Sequence, residues 1–180
     1  STGKIIYEKN KDERVSIASL TKMMGLILIF ERIENGQLKY TDKVTASMNA
    51  SGMGGSQIWL ETGEVMTVEE LLKGIIMASA NDAIVAMAEK VAGTESAFVD
   101  LMNEKAVFLG MTNTHYVNTH GLDRDNHYSS VNDLFTLLKY ALNNPIFREV
   151  YTTKSYNLSN TLDKYNKEED PHLVQSTVAK

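Results

Sequence analysis

Residues 16–24 read SIASLTKMM, and this stretch decides how the rest of the sequence is interpreted. Ser19 and Lys22 are three residues apart at the head of an apolar run, a spacing that places two side chains on one face of a helix. From Ser19 to about Glu34 the apolar residues recur at helical intervals, and Gly36 follows as a natural stop. The stretch therefore predicts a helix that starts with a serine and a lysine close together.

This pair has the chemistry of an activated nucleophile. A serine hydroxyl becomes reactive when a neighbouring base takes its proton, and a neutral lysine can be that base. The pKa of the lysine must then fall from about 10.4 towards neutrality, through burial or nearby positive charge. A helix N-terminus helps, because its positive end disfavours a second cation and offers N–H groups to an oxyanion. Ser1 and Lys4 share the spacing, so a capping serine with a solvated lysine stays open as the alternative for Ser19 and Lys22.

A second candidate pair, Ser79 and Asn81, lies in the segment SAND, where two predicted helices meet. The helix before it begins near Thr67, where T-V-E-E forms a capping box, and the helix after it ends at a glycine. The S-x-N pattern also begins at Ser47 and at Ser130. The pattern alone is therefore equally compatible with a helix-breaking turn.

The composition of the 180-residue chain excludes several classes of function. Hydrophobic residues make up 43% and charged residues 23%, which is enough apolar surface for a real core. The formal net charge of −5 argues against nucleic acid as a partner, since phosphate-binding domains usually carry a basic face. Cysteine is absent, which excludes a disulfide framework, a thiolate zinc site and a cysteine nucleophile. The longest apolar run, residues 23–30, is far too short to cross a bilayer.

The order of the predicted elements indicates an α+β fold. The opening GKIIYEKN suits a strand, residues 43–66 suit short strands and loops, and HLVQSTV near the other end alternates weakly. Helices are predicted from Thr67 onward, the last two from about Ser130 to Leu142 and from Pro145. We therefore expect a sheet formed by the chain ends and a helical middle. Because the chain starts inside the first strand without an initiator methionine, we expect a processed or trimmed piece of a longer protein.

The loop MTNTHYVNTHGLDRDNHY contains three histidines and raises the question of a metal site. His115, His120 and His127 do not follow a compact ligand spacing, and the glycine and asparagine residues around them indicate turns. We therefore expect a loop held by histidine hydrogen bonds, with no metal and no cofactor.

Four segments, IASLTKMM, GGSQIWLETGE, VEELLKGIIMASANDAIVAMAE and NTHGLDRDNHYSS, occur in an order that closely resembles the serine D-alanyl-D-alanine carboxypeptidases. These are the low-molecular-mass penicillin-binding proteins that trim peptidoglycan, and the resemblance covers roughly residues 2 to 150. It implies a serine β-lactamase/DD-peptidase (transpeptidase-like) fold, in which an antiparallel sheet packs against a helical region. Residues 1–180 would form one partial catalytic domain, with a helical subregion at about 67–150. S-x-x-K and K-T-G elements mark penicillin-binding proteins and class A β-lactamases.

The resemblance implies a role for each candidate residue. Ser19 would be the acylated nucleophile, Lys22 its general base, and Ser79 a proton relay towards the leaving amine. The Asn81 amide would orient the substrate backbone, and His120 would support the rim of the site. The implied reaction is attack on the amide of a terminal D-Ala–D-Ala in a peptidoglycan stem peptide, release of D-alanine and hydrolysis of the acyl-enzyme. β-Lactams would be covalent inhibitors, because they would acylate Ser19 and leave slowly.

The resemblance also implies a location. We expect the complete protein outside the bacterial cytoplasm, in the periplasm or at the cell surface. Members of this family often continue into a β-rich domain and a terminal membrane-binding helix. Peripheral membrane attachment through segments outside these 180 residues therefore stays open.

The family's third element, K-[ST]-G on a sheet strand, does not occur in the 180 residues. Its lysine binds the substrate carboxylate, and the strand after it supplies an oxyanion donor, whose loss typically raises the barrier by about 2.7–4 kcal/mol. The element could follow Lys180, could belong to a segment omitted near NKEEDP, or could be truly lacking; we expect truncation or omission. Catalysis by this polypeptide alone is thus in question. A class A-like β-lactamase and a non-catalytic peptidoglycan-binding or regulatory module stay open as alternatives.

Overall fold

The computed structural model describes residues 6–151, 155–156 and 174–175, and helices are its main elements. The first regular element is a 3₁₀ turn at Ala18–Leu20, and the helices and strands follow in chain order: α1 Thr21–Glu34, β1 Lys43–Thr45, α2 Met48–Ser51, β2 Val65–Thr67, α3 Val68–Ala78, α4 Asn81–Ala92, α5 Glu95–Phe108, α6 Val131–Ala141, α7 Pro145–Tyr151, β3 Ser155–Tyr156 and β4 Val174–Gln175.

Helix α1 is the central element of the helical region, because α4, α5, α6 and α7 all pack against it. Phe30 of α1 is fully buried and meets Phe147 of α7 edge to face, with ring centroids 6.2 Å apart. Gly25 lets α4 approach closely, since a Cβ at this position would lie 3.1 Å from Ile84 Cδ1. The apolar residues that follow Lys22 are therefore part of the core, and their packing fixes the position of α1.

Side-chain caps decide where several helices begin. Thr67 caps α3: its hydroxyl accepts from Glu70 N at 3.2 Å, and the Glu70 carboxylate accepts from Thr67 N at 2.9 Å. This reciprocal pair confirms the predicted capping box. Thr94 and Ser130 cap α5 and α6 in the same way with their hydroxyls. The predicted interruption at SAND is confirmed as well, because Ser79 adopts the left-handed conformation between α3 and α4.

The strands are antiparallel, as predicted: β1 and β2 lie at the two ends of the predicted 43–66 region and β4 lies within HLVQSTV, whereas β3 is not expected from the sequence. β1 pairs with β2 in the middle of the sequence, with Val44 opposite Met66, and β3 pairs with β4. The predicted opening strand is wrong for residues 6–8, which form no strand, and its residues 1–5 lie outside the described part of the chain. The four-residue helix α2 was not predicted either; it is too short to show a helical period, and Ser47 caps it.

None of the helices in the described ranges is both long and apolar enough to cross a membrane. The assignment of residues 1–180 to one partial domain stays a prediction.

Candidate active site

Ser19 lies in the 3₁₀ turn Ala18–Leu20, so the prediction that α1 starts at Ser19 is wrong by two residues. The cause is a contact with a distant loop. Ala18 has a φ of 45°, and its carbonyl group lies against Gly121, where any Cβ would overlap it. Gly121 has a φ of 87°, which glycine adopts without strain. The chain therefore turns sharply just before α1 and leaves Ser19 exposed to solvent.

Lys22 is the buried partner of this exposed serine. The residue is only 3% exposed, and its Nζ donates to Ser19 Oγ at 3.2 Å and to the backbone oxygen of His120 at 2.9 Å. Burial lowers the pKa of Lys22 to about 8, whereas the negative charge of Asp82 acts in the opposite direction. About a tenth of the amine is therefore neutral at pH 7. In that state one N–H can remain on the His120 carbonyl while the lone pair faces the serine hydroxyl.

The SAND segment joins α3 to α4, the helix that packs against α1. Ser79, half-buried, ends α3 with φ 55° and ψ 37°, and Asn81 is the first residue of α4. Asn81 is 4% exposed, and its Nδ2 donates to Gly54 O at 2.7 Å. Helix α4 packs against α1, and the negative charge of Asp82 in its first turn acts to raise the pKa of Lys22.

The loop that carries His120 closes the other side of Lys22. Leu122 N donates to His120 Nδ1 at 3.1 Å, so the neutral ring carries its proton on Nε2. That Nε2 lies 3.8 Å from Glu95 Oε1, which also accepts from Thr119 N at 3.0 Å. Burial lowers the pKa of His120, and the nearby Glu95 carboxylate acts against this change. The ring is therefore a neutral support for the loop whose backbone binds Lys22.

A second histidine holds α1 from behind. His127 Nδ1 accepts from Val117 N at 3.1 Å, so its Nε2 carries the proton and donates to Thr21 Oγ1 at 2.7 Å. Burial lowers the pKa of His127, which favours this neutral form. Thr21 stands between Ser19 and Lys22 in the sequence and is fully buried. This contact fixes the rotation of the first turn of α1 and, through it, the relation of the serine to the lysine.

Comparison with known proteins assigns the family. The family model of the D-alanyl-D-alanine carboxypeptidases, Peptidase_S11, matches residues 1–179.

The chain belongs to this family.

It is 48% identical to D-alanyl-D-alanine carboxypeptidase DacF of Bacillus subtilis over 165 residues, which are 91% of this chain and 42% of DacF. It is 40% identical to DacA of Escherichia coli over 164 residues, 87% of this chain and 40% of DacA. The chain thus spans less than half the length of these curated relatives.

The fold of the family is confirmed by solved structures. The carboxypeptidase DacD of Francisella tularensis superimposes with a TM-score of 0.82 and 38% identity, over 88% of this chain and 39% of that one. The predicted α+β fold of the DD-peptidases is therefore correct.

The structure brings three of the five predicted site residues into direct contact: Ser19, Lys22 and His120, the last through its backbone oxygen. Asn81 stands at the head of the adjacent α4, where its amide binds the loop backbone, and Ser79 precedes it. The catalytic and binding roles of all five stay predictions.

Sequence reasoning missed Asp82, Thr21, Glu95 and the contact made by His127. Asp82 and Thr21 adjoin motif residues, and this adjacency was the one available signal. Among the residues that the structure describes, no group of three or more His, Cys, Asp or Glu side chains could hold a metal ion. Histidine hydrogen bonds hold the loop, as predicted, including one between His115 Nδ1 and Asn126 O at 2.7 Å.

Proposed function

We propose that the intact protein is a serine D-alanyl-D-alanine carboxypeptidase that removes the terminal D-alanine from peptidoglycan stem peptides. Ser19 would form the acyl-enzyme, and penicillin would acylate the same hydroxyl. One observation carries the proposal: a buried amine with a pKa of about 8 lies 3.2 Å from an exposed serine hydroxyl. Family membership supports the choice of substrate, because the matched relatives are named for this activity.

The geometry supports a division of labour during acylation. Neutral Lys22 takes the proton of Ser19 Oγ while its own N–H remains on His120 O, so the amine keeps its position as the charge forms. The Oγ then bonds to the carbonyl carbon of the penultimate D-alanine. The amide bond to the last D-alanine breaks, and the leaving nitrogen receives, through Ser79, the proton that Lys22 took from Ser19, which leaves Lys22 neutral again. Asn81 orients the substrate backbone, and His120 supports the rim of the site.

The second half of the reaction runs through the same groups. Water adds to the acyl carbon while Lys22 takes its proton; the ester bond to Ser19 Oγ then breaks, and Lys22 returns the proton to Oγ. The proposal concerns the intact protein, since K-[ST]-G does not occur in the 180 residues and this element would supply further contacts to substrate. We also propose that the protein acts outside the cytoplasm of a bacterium, where peptidoglycan lies. Attachment to the membrane would use segments other than those described.

The test is release of D-alanine by the intact protein from a peptide ending in D-Ala–D-Ala, with a parallel reaction with fluorescent penicillin. The wild-type protein should release D-alanine and carry the label on the peptide that contains Ser19. Ser19→Ala should abolish both, whereas Ser96→Ala, which changes an exposed serine of α5, should abolish neither. An adduct that survives Ser19→Ala would refute the assignment of the nucleophile.

The same experiment separates the two alternatives. Rapid turnover of penicillin without a lasting adduct would identify a β-lactamase. Binding of the peptide without release of D-alanine would identify a non-catalytic peptidoglycan-binding or regulatory module.

A further inference from the structure

Asp82 is a fully buried carboxylate with an unusual set of partners. Its two oxygens accept from Ile58 N at 3.2 Å and from Leu60 N at 3.0 Å, and Oδ1 also accepts from Ala83 N at 2.8 Å. Two of these donors lie more than twenty residues earlier in the sequence, in an irregular segment that we call the 54–60 strap. Backbone N–H groups that donate to a buried carboxylate replace the hydrogen bonds that it loses with water. Asp82 therefore anchors the strap to the head of α4 by charge-assisted hydrogen bonds.

The preceding residue binds the same strap through a second set of contacts. Asn81 Nδ2 donates to Gly54 O and Asn81 N donates to Ser56 O, both at 2.7 Å. Gly55 lies so close that a Cβ there would be 2.7 Å from Asn81 Nδ2. The same Cβ would be 3.7 Å from Leu122 Cδ2, so the strap also reaches the loop that carries His120. The orientation of the Asn81 amide thus depends on where the strap lies.

The charge of Asp82 also reaches the base. It opposes the effect of burial on the pKa of Lys22, and the positive charge of Lys22 in turn helps burial to lower the pKa of His120. His120 is neutral and accepts a hydrogen bond at Nδ1. Among the described residues of α4, Asp82 is the one negative charge that acts on the pKa of Lys22. The Asp82 carboxylate therefore affects both the position of Asn81 and the pKa of Lys22.

We propose that Asp82 is a positioning residue, which clamps the 54–60 strap onto the head of α4 and so fixes the Asn81 amide on the helix that packs against α1. This proposal rests on the proposed function for its kinetic consequences, but the clamp itself is independent of it. A clamp of this kind is needed because the strap has no regular structure to hold its own backbone. Misplacement of a substrate-orienting group by about 1 Å lowers the rate on the order of a hundredfold.

The decisive variant is Asp82→Asn in the intact protein. It keeps the shape, but one oxygen becomes an NH₂ group that faces backbone donors, and the charge is lost. Hydrogen exchange of the peptide containing residues 58–60 should become at least about tenfold faster. The second-order rate constant for acylation by penicillin should fall at least about tenfold. The rise of that rate with pH should move to lower pH, because the carboxylate no longer raises the pKa of Lys22.

Two further variants separate the position of the strap from the charge of Asp82. Glu89→Gln removes another carboxylate of α4, which accepts from Asn49 Nδ2 at 3.0 Å on the surface, and should leave exchange, rate and pH profile unchanged. Gly55→Ala pushes the strap from Asn81 but keeps the Asp82 charge, so acylation should fall without a shift of the pH profile. It also serves as the kinetic test where Asp82→Asn does not fold.

Unchanged exchange at residues 58–60 in Asp82→Asn would overturn the clamp. If Asp82→Asn has a lower melting temperature but acylates at the wild-type rate with the wild-type pH dependence, Asp82 has only a structural role and the proposal is overturned. If the wild-type protein is not acylated at all, the proposed function fails, and the exchange measurement still decides whether the clamp exists.

Discussion

Replacing Lys22 with methionine should remove a pH dependence of stability that the buried amine imposes on the fold. The pKa of Lys22 is about 8 in the fold and 10.5 in the unfolded chain. Between these values the unfolded state holds a proton that the folded state lacks, so stability rises with pH through this window and falls as pH drops towards 8. From pH 7 to pH 10 this one group should raise the free energy of unfolding by about 2.5 kcal/mol. Lys22 is 3% exposed, so solvent screening does not reduce the effect much.

The measurement is urea-induced unfolding of wild type and Lys22→Met at both pH values. Other titrating groups cancel in the difference between the two proteins, and so does the pH-independent loss of the hydrogen bond to His120 O. The free energy of unfolding of wild type, relative to that of Lys22→Met, should increase by about 2.5 kcal/mol between pH 7 and pH 10. Lys90→Met, which changes an exposed lysine of α4, should show no such gain. A difference that stays constant with pH for Lys22→Met would refute the buried, easily deprotonated amine.

Three other substitutions test the surroundings of the pair. Gly121→Ala should lower the free energy of unfolding by about 2 kcal/mol or more and reduce penicillin labelling, because its Cβ overlaps the Ala18 carbonyl. The control Gly93→Ala, also at positive φ but with open space around it, should lower it by only about 1 kcal/mol. Thermal unfolding and labelling compare the two variants. Ser79→Gly should slow D-alanine release about 100-fold or more without loss of stability, since glycine suits the left-handed backbone but supplies no hydroxyl, and a wild-type kcat would exclude the relay. Thr67→Ala should cost about 1 kcal/mol of stability through loss of the capping box, with unchanged labelling, as thermal unfolding would measure.

Local patterns in the sequence predicted what local interactions determine. The start of α3 at Thr67, the cap at Ser130 and the break at Ser79 all follow from residues within one turn, and each was predicted from the sequence. The run of apolar residues after Lys22 likewise predicted α1 and its end at Glu34. These features need no knowledge of the rest of the chain.

Contacts between distant segments explain what the sequence did not predict. The turn before α1 depends on Gly121, about a hundred residues later, and no pattern near Ser19 encodes it. Asp82 contacts the 54–60 strap only in the folded chain, so the S-x-N pattern does not predict its role. The predicted opening strand is wrong at residues 6–8 for a related reason, since strand formation depends on a partner segment rather than on the strand's own residues.

The central claim is that Lys22 is neutral when it takes the proton of Ser19. The most direct measurement is the second-order rate constant for acylation of the intact protein by penicillin between pH 5 and pH 11, with Ser19→Ala as the blank. The rate constant should rise with pH and level off, with its midpoint at the Lys22 pKa of about 8. A rate that does not change with pH, or one that keeps rising to the pKa of a free lysine above 10, would contradict this claim.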